Sequence, residues 1–208
     1  FSTSAQEAGG FDVLINNAGG GHFGPADHLS PDVLQEQFEM LVFAHVELCR
    51  LALESMKPRE QGGLIINVTS LAARLPVPYM AAYNAAKAAM ASFTMSLQLE
   101  LADSKIRIVD LQPGDIATNF NDSVRKDGPG AAGAEPRLTR AWNVVDRNMK
   151  QAPKPALVAE RIAELINDPS PPPRVTVGDA FQAAVAPFIY RLLPQRVRLW
   201  GLKRYYGI

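Results

Sequence analysis

Four short apolar runs, each stopped by turn-forming residues and separated by stretches of helical periodicity, constrain this chain most. Asp12-Val13-Leu14-Ile15 is closed by Asn16-Asn17-Ala18-Gly19, and Leu64-Ile65-Ile66-Asn67-Val68 by Thr69-Ser70. Ile106-Arg107-Ile108-Val109-Asp110-Leu111 stops at Pro113-Gly114, and Arg174-Val175-Thr176-Val177 at Gly178. Continuous apolar runs of this length read as parallel strands buried on both faces. Between them, Ser30-Pro31 opens a helix as N-cap and first residue. Leu34, Phe38, Leu41, Val42, Val46, Cys49, Leu53 and Met56 carry its apolar stripe, and Lys57-Pro58 ends it. Further helices are expected over about 82–102, weakly over 138–150, and after Pro155 with Leu157, Val158, Ile162, Leu165 and Ile166 inward. Such alternation requires right-handed crossovers and predicts an α/β fold, a doubly wound, mostly parallel sheet in three α/β/α layers.

Ligands of such sheets bind outside the carboxyl ends of the strands. Asn17-Ala18-Gly19, Ser70 and Pro113-Gly114 all fall there. Thirteen residues after Ser70 stands Tyr83, followed one helical turn later by Lys87. Residues four apart share a helix face, so the ammonium can sit beside the phenol. A phenol with an ordinary pKa of about 10 is a poor proton carrier near neutrality. A neighbouring cation favours the phenolate, which suits proton transfer to or from an alcohol oxygen. The pattern reads as carbonyl/alcohol chemistry that needs a hydride carrier.

The bulk numbers exclude other classes. With 21 basic and 21 acidic residues the net charge is zero, so nothing electrostatic favours nucleic acid as a partner. Hydrophobic content of 47% and charged content of 20% are those of a soluble domain, and no apolar run approaches a membrane span. The single cysteine, Cys49, suits a reducing compartment, so a cytoplasmic protein is expected. His22, His28 and His45 lack metal-ligand spacing and are read as surface or loop residues. No Gly-x-Ser-x-Gly elbow occurs. Residues 119–140 read as a mobile flap, and Phe120, Leu138, Trp142, Val145 and Met149 give the covering segment an apolar inner side, which favours a lipophilic substrate. From Arg191 to Arg204 there are five basic residues and no acidic one, interleaved with leucines and aromatics. That composition fits either peripheral membrane contact through 181–208 or packing across the substrate mouth or a neighbouring subunit.

Asn16-Asn17-Ala18-Gly19, Asn67-Val68-Thr69-Ser70, Tyr83-x-x-x-Lys87 and Pro113-Gly114-Asp115-Ile116-Ala117-Thr118 together resemble the short-chain dehydrogenase/reductase family, in its order and spacing. The resemblance implies a Rossmann-like fold, an NAD or NADP cofactor, and a carbonyl or secondary alcohol as substrate. It implies that Tyr83 is the general acid, that Lys87 lowers its pKa and holds the nicotinamide ribose, and that Ser70 holds the substrate oxygen. Asn17, Ala18 and Gly19 would line the cofactor, and Ile116 and Thr118 would contact the nicotinamide carboxamide. It also implies a homo-oligomer built on the two long helices.

Two departures stand out. The family's opening strand, glycine-rich turn and helix have no room before residue 16, since a β-α-β-α-β stretch needs roughly 55–70 residues. Residues 1–180 are therefore expected to be the C-terminal three-quarters of the domain, with 181–208 as a tail. Such a chain is expected to bind dinucleotide weakly by itself and to expose a sheet edge. The second departure is that no asparagine lies between Asn17 and Asn67, and Leu41 stands where many members hold a relay water on asparagine. Slower proton relay is expected, with His45, one turn on, as a substitute. A non-catalytic remnant or binding protein is the competing reading, and the epimerase/dehydratase branch a third; the second strand that separates NAD from NADP is not among the motifs.

Overall fold

A computed structural model describes residues 9–126 and 135–208. Its main sheet has four parallel strands, β1 (Val13–Asn16), β3 (Gly63–Val68), β4 (Ile106–Pro113) and β6 (Arg174–Val177), in the order β1-β3-β4-β6. Leu14 pairs with Ile65 and Ile65 with Ile108, so these side chains share one face; Leu64, Ile66, Val109 and Leu111 point to the other. Every residue of β3 is buried, as continuous apolar runs require. β1 forms an edge of this sheet, and its Ile15 remains 39% exposed.

The first helical stretch is one continuous rod with a defect. Helix α1 (Pro31–Phe38) runs through a π turn (Glu39–Phe43) into α2 (Ala44–Met56). Ser30 caps it, its side chain accepting from the Val33 amide at 3.3 Å. A π turn carries an extra residue and shifts the phase of the faces around it. Val33 and Gln37 are therefore buried before it and Leu41, Val42, His45, Cys49, Ala52 and Met56 within and beyond it, while Leu34, expected inward, is exposed. Helix α2 and the long helix α3 (Ala81–Glu100) cover one sheet face through Cys49, Ala52, Met56, Met90 and Leu97. The other face carries α6 (Ala156–Asn167), through Val158, Ile162 and Leu165.

A cap builds up over the carboxyl ends of the strands. Part of the expected flap is ordered as a helical turn, α4 (Phe120–Ser123), and strand β5 (Val124–Lys126), which pairs in parallel with β2 (Gly21–Phe23). Residues 127–134 of that flap lie outside the described residues. Three-residue strands are too short to show periodicity, so sequence reading missed both. Helix α5 (Pro136–Gln151) is well formed rather than weak; its Leu138 is buried, and its Trp142 meets Phe23 edge-on at 4.9 Å. The tail holds a π turn (Phe181–Val185), α7 (Ala186–Leu192) and α8 (Gln195–Tyr206). Helix α8 lies along α5: Arg140 Nε donates to the Gly207 carbonyl at 2.7 Å, and Asn148 Nδ2 to the Tyr205 hydroxyl at 2.7 Å.

Side-chain amides pin the layers together. Asn16 Nδ2 donates to Asn67 Oδ1 at 2.8 Å, and Asn67 Nδ2 to Thr94 Oγ1 at 3.0 Å, linking β1, β3 and α3. All three residues are buried, where a stranded donor costs about 1–3 kcal/mol. Asn67→Leu, which keeps the volume but leaves Asn16 Nδ2 only its longer contacts to the His45 carbonyl and Cys49 Sγ and leaves Thr94 only its bond to the Met90 carbonyl, should lower unfolding free energy by about 1–3 kcal/mol in urea titration.

Candidate active site

Three short segments converge at the carboxyl edge of the sheet. Ser70 stands two residues past the end of β3, and its hydroxyl accepts from the Ala72 amide at 3.0 Å, closing a 3-10 turn over Leu71–Ala73. The loop then returns to α3 through a two-way clamp: Asn84 Nδ2 donates to the Val77 carbonyl at 2.8 Å, and the Val77 amide to Asn84 Oδ1 at 3.3 Å. The clamp holds the first turn of α3, which presents Tyr83 towards Ser70. Tyr79 in this loop has φ 64°, a left-handed conformation costly for a non-glycine residue. Its carbonyl accepts from the Gly24 amide at 2.8 Å, and its ring lies 5.8 Å from Phe23.

Tyr83 and Lys87 are both buried, and burial governs their protonation. Lys87 Nζ donates to the Val68 carbonyl at 2.9 Å and lies 5.9 Å from the centre of the Tyr83 ring. Burial pushes the ammonium down to about 8, against a smaller pull upward from Asp110. Burial also raises the Tyr83 phenol above its ordinary value; the facing Ser70 hydroxyl opposes this, and Asp115 adds to it. In this geometry burial is the largest influence on the phenol, and the Lys87 ammonium is turned toward a backbone carbonyl.

Around them, Asn17, Ala18 and Gly19 are exposed at the end of β1. A Cβ on Gly19 would lie 3.0 Å from Leu41 Cδ2 and 3.9 Å from Lys87 Nζ, so this backbone passes close over the ammonium. Ile116 is buried beyond β4, whereas Thr118 is exposed, its hydroxyl accepting from the Phe120 amide at 3.2 Å. The Phe120 ring lies 5.6 Å from that of Tyr83. The site's open side is thus lined by exposed backbone at one strand end and by apolar groups at the other.

Two histidines correct the sequence reading. His28 is exposed as expected, but His22 is buried in β2 and His45 in α2. His45 is 3% exposed, and neither ring nitrogen closes a hydrogen bond of good geometry. Burial first and Lys87 second lower its pKa, while the Ala18 backbone acts the other way. It therefore faces the same corner as Lys87 and Ala18. Leu41, in the π turn, is fully buried against the Tyr83 cluster. Sequence reading also missed the buried Asp110, which accepts from Thr69 Oγ1, from Gln112 Nε2 at 2.7 Å and from Arg174 Nε at 2.8 Å. A lone aspartate inside an apolar strand run was the available signal.

A parallel sheet that gathers a hydroxyl, a phenol and an ammonium at its carboxyl edge is the architecture of a Rossmann-like oxidoreductase. Comparison with known proteins narrows the class. Residues 1–129 match the short chain dehydrogenase family, and the chain belongs to it. The 3-ketodihydrosphingosine reductase of Bacteroides thetaiotaomicron is 28% identical over 206 residues, 98% of this chain and 76% of that protein. A short-chain dehydrogenase from Streptomyces avermitilis superposes with a TM-score of 0.79 at 25% identity, over 98% of this chain and 72% of that one. The 3-ketoacyl-(acyl-carrier-protein) reductase from Brucella melitensis, solved with NADH, gives 0.56 at 31% identity over 59% of this chain and 52% of its own. This chain spans about three-quarters of the first two and about half of the third.

The Lys87 shift has a thermodynamic sign. Its folded pKa of about 8 lies below the ordinary 10.5, so between these values the unfolded chain binds the extra proton. Stability therefore rises with pH across that window. The difference in unfolding free energy between the wild type and Lys87→Met should grow in favour of the wild type from pH 8 to about 10 in urea titrations.

Proposed function

We propose that this site catalyses reversible hydride transfer between a nicotinamide dinucleotide and a lipophilic ketone or secondary alcohol. The observation that carries the reading is the buried Tyr83 phenol, raised in pKa and facing Ser70, one helical turn from the buried Lys87. A phenol held protonated through neutral pH is a proton donor for a carbonyl oxygen that gains electron density.

The chain's own groups supply the remaining roles. Ser70 orients the substrate oxygen against the Tyr83 hydroxyl, and Tyr83 Oη gives its proton to that oxygen during reduction or accepts one during oxidation. Lys87 spends one N–H on the Val68 carbonyl, which leaves two donors for ribose hydroxyls. The exposed Asn17–Gly19 backbone, passing close to that ammonium, together with Ile116 and Thr118 fits the nicotinamide half of NAD or NADP. When bound, that cofactor supplies or accepts the hydride. The match to a reductase solved with NADH supports this assignment.

Phe120 beside Tyr83, with Leu138 and Trp142 behind it, supports an apolar substrate, as does the similarity to a ketosphingoid reductase. The same reading treats 1–180 as one domain and 181–208 as a tail. It includes a homo-oligomer, supported by the exposed Phe43, Met95 and Leu99 on the long helices.

Tyr83→Phe, assayed by consumption of reduced nicotinamide with a long-chain 3-ketone, should lose about 10²–10⁴ in kcat. Retained turnover would overturn the proposal. Leu41→Asn, which offers a water-holding amide beside Gly19 and Lys87, should raise turnover and lower the solvent isotope effect; no change in either would show that relay does not pass this position.

A further inference from the structure

The carboxyl-terminal helices bury one side and leave the other in water. Tyr206 is buried, and Ile208 packs into the cluster that contains Tyr83. On the opposite side, Phe181, Phe188, Leu192 and Trp200 each keep 60–68% of their surface exposed. Phe181, Val185, Phe188, Ile189 and Leu192 recur at helical spacing, and all five are exposed, so the π turn and α7 present one apolar stripe. Helix α8 adds Arg196, Leu199, Trp200 and Lys203 on a second face of the same kind, all exposed. Arg198 braces the two helices, its Nε donating to the Leu193 carbonyl at 2.6 Å and its guanidinium lying 4.9 Å from the centre of the Tyr190 ring.

Charge is segregated with equal clarity. Residues 180–208 contain five basic side chains and no acidic one, which leaves 16 basic and 21 acidic residues for the rest of the chain. Arg191, Arg196, Lys203 and Arg204 are exposed beside the apolar stripe. Large aliphatic and aromatic groups flanked by cations match the interface of an anionic bilayer, where acyl chains take the former and headgroups the latter. Trp200, with an apolar ring and a polar tip, suits the headgroup level. A second copy seated on this face by two-fold symmetry would bring two sets of five cations together with no acid between them.

We propose that α7 and α8 form a peripheral docking surface for an anionic lipid bilayer, with the apolar stripe immersed at the headgroup boundary and the arginines and lysine on lipid phosphates. Among the described residues no helix is long and apolar enough to cross a membrane, so the contact lies in the plane of the surface. The inference stands on exposure and charge, and holds whether or not the site transfers hydride.

Co-sedimentation of the purified protein with phosphatidylcholine vesicles carrying about 30% phosphatidylserine tests it. Binding is expected to these vesicles, to fall steeply with salt, and to be on the order of tenfold weaker with phosphatidylcholine alone. Phe188→Glu with Trp200→Glu, and separately Arg196→Glu with Lys203→Glu, should each weaken binding by about tenfold or more. Thermal unfolding should stay unchanged, because these side chains are in water. Equal partitioning with and without phosphatidylserine, or variants that bind like the wild type, would overturn the proposal. So would absent vesicle binding combined with self-association that Trp200→Glu abolishes, since a second copy would then cover this face.

Discussion

One buried contact organises the site: the Lys87 ammonium on the Val68 carbonyl, at 2.9 Å. It joins the second turn of α3 to the last residue of β3, and so fixes the rotation of the helix about its axis. That rotation turns Tyr83 to Ser70, two residues beyond Val68. Burying an ammonium is costly, and its pKa falls to about 8 as a result. Asp110, held by Thr69, Gln112 and Arg174, offsets part of that cost from the neighbouring strand. The edge that carries Ser70 and Tyr83 therefore depends on charge placed inside the sheet's own framework.

Above this frame the cap follows different rules. The β2–β5 pair, α4 and α5 are held by aromatic and aliphatic contacts, with Phe23 fully buried between Tyr79 and Trp142. Apolar packing is tolerant of exchange, whereas Ser70 and Lys87 are set by directed hydrogen bonds. The π turn is where frame and cap meet. It carries Leu41 and Val42 into the Tyr83 cluster and, one turn on, brings His45 to the corner shared with Lys87.

The chain belongs to the short-chain dehydrogenase family, and within that scaffold burial holds the Tyr83 phenol above its ordinary value. The tail adds a second property. Its buried side closes over the cap, and its exposed side gathers basic residues, with no acidic one among residues 180–208, beside a continuous apolar stripe.

The sequence by itself determined the strand order along the chain, the parallel sheet and the Ser70–Tyr83–Lys87 set. Periodicity, strand-stopping turns and an i,i+4 spacing are local properties, and local properties survive without coordinates. The Ser30 cap was legible for the same reason. Tertiary structure alone decided what could not be read locally. Lys87 turns to a backbone carbonyl and the Tyr83 phenol is raised, because desolvation depends on everything packed around it. His45 and His22 are buried, Asn16 is a pin between layers rather than only a turn, and Leu34 faces water, because one π turn shifts the helix phase. Three-residue strands in the cap leave no period to detect. Which side of the tail meets the protein and which meets water is a matter of packing, and packing is a sum over distant residues.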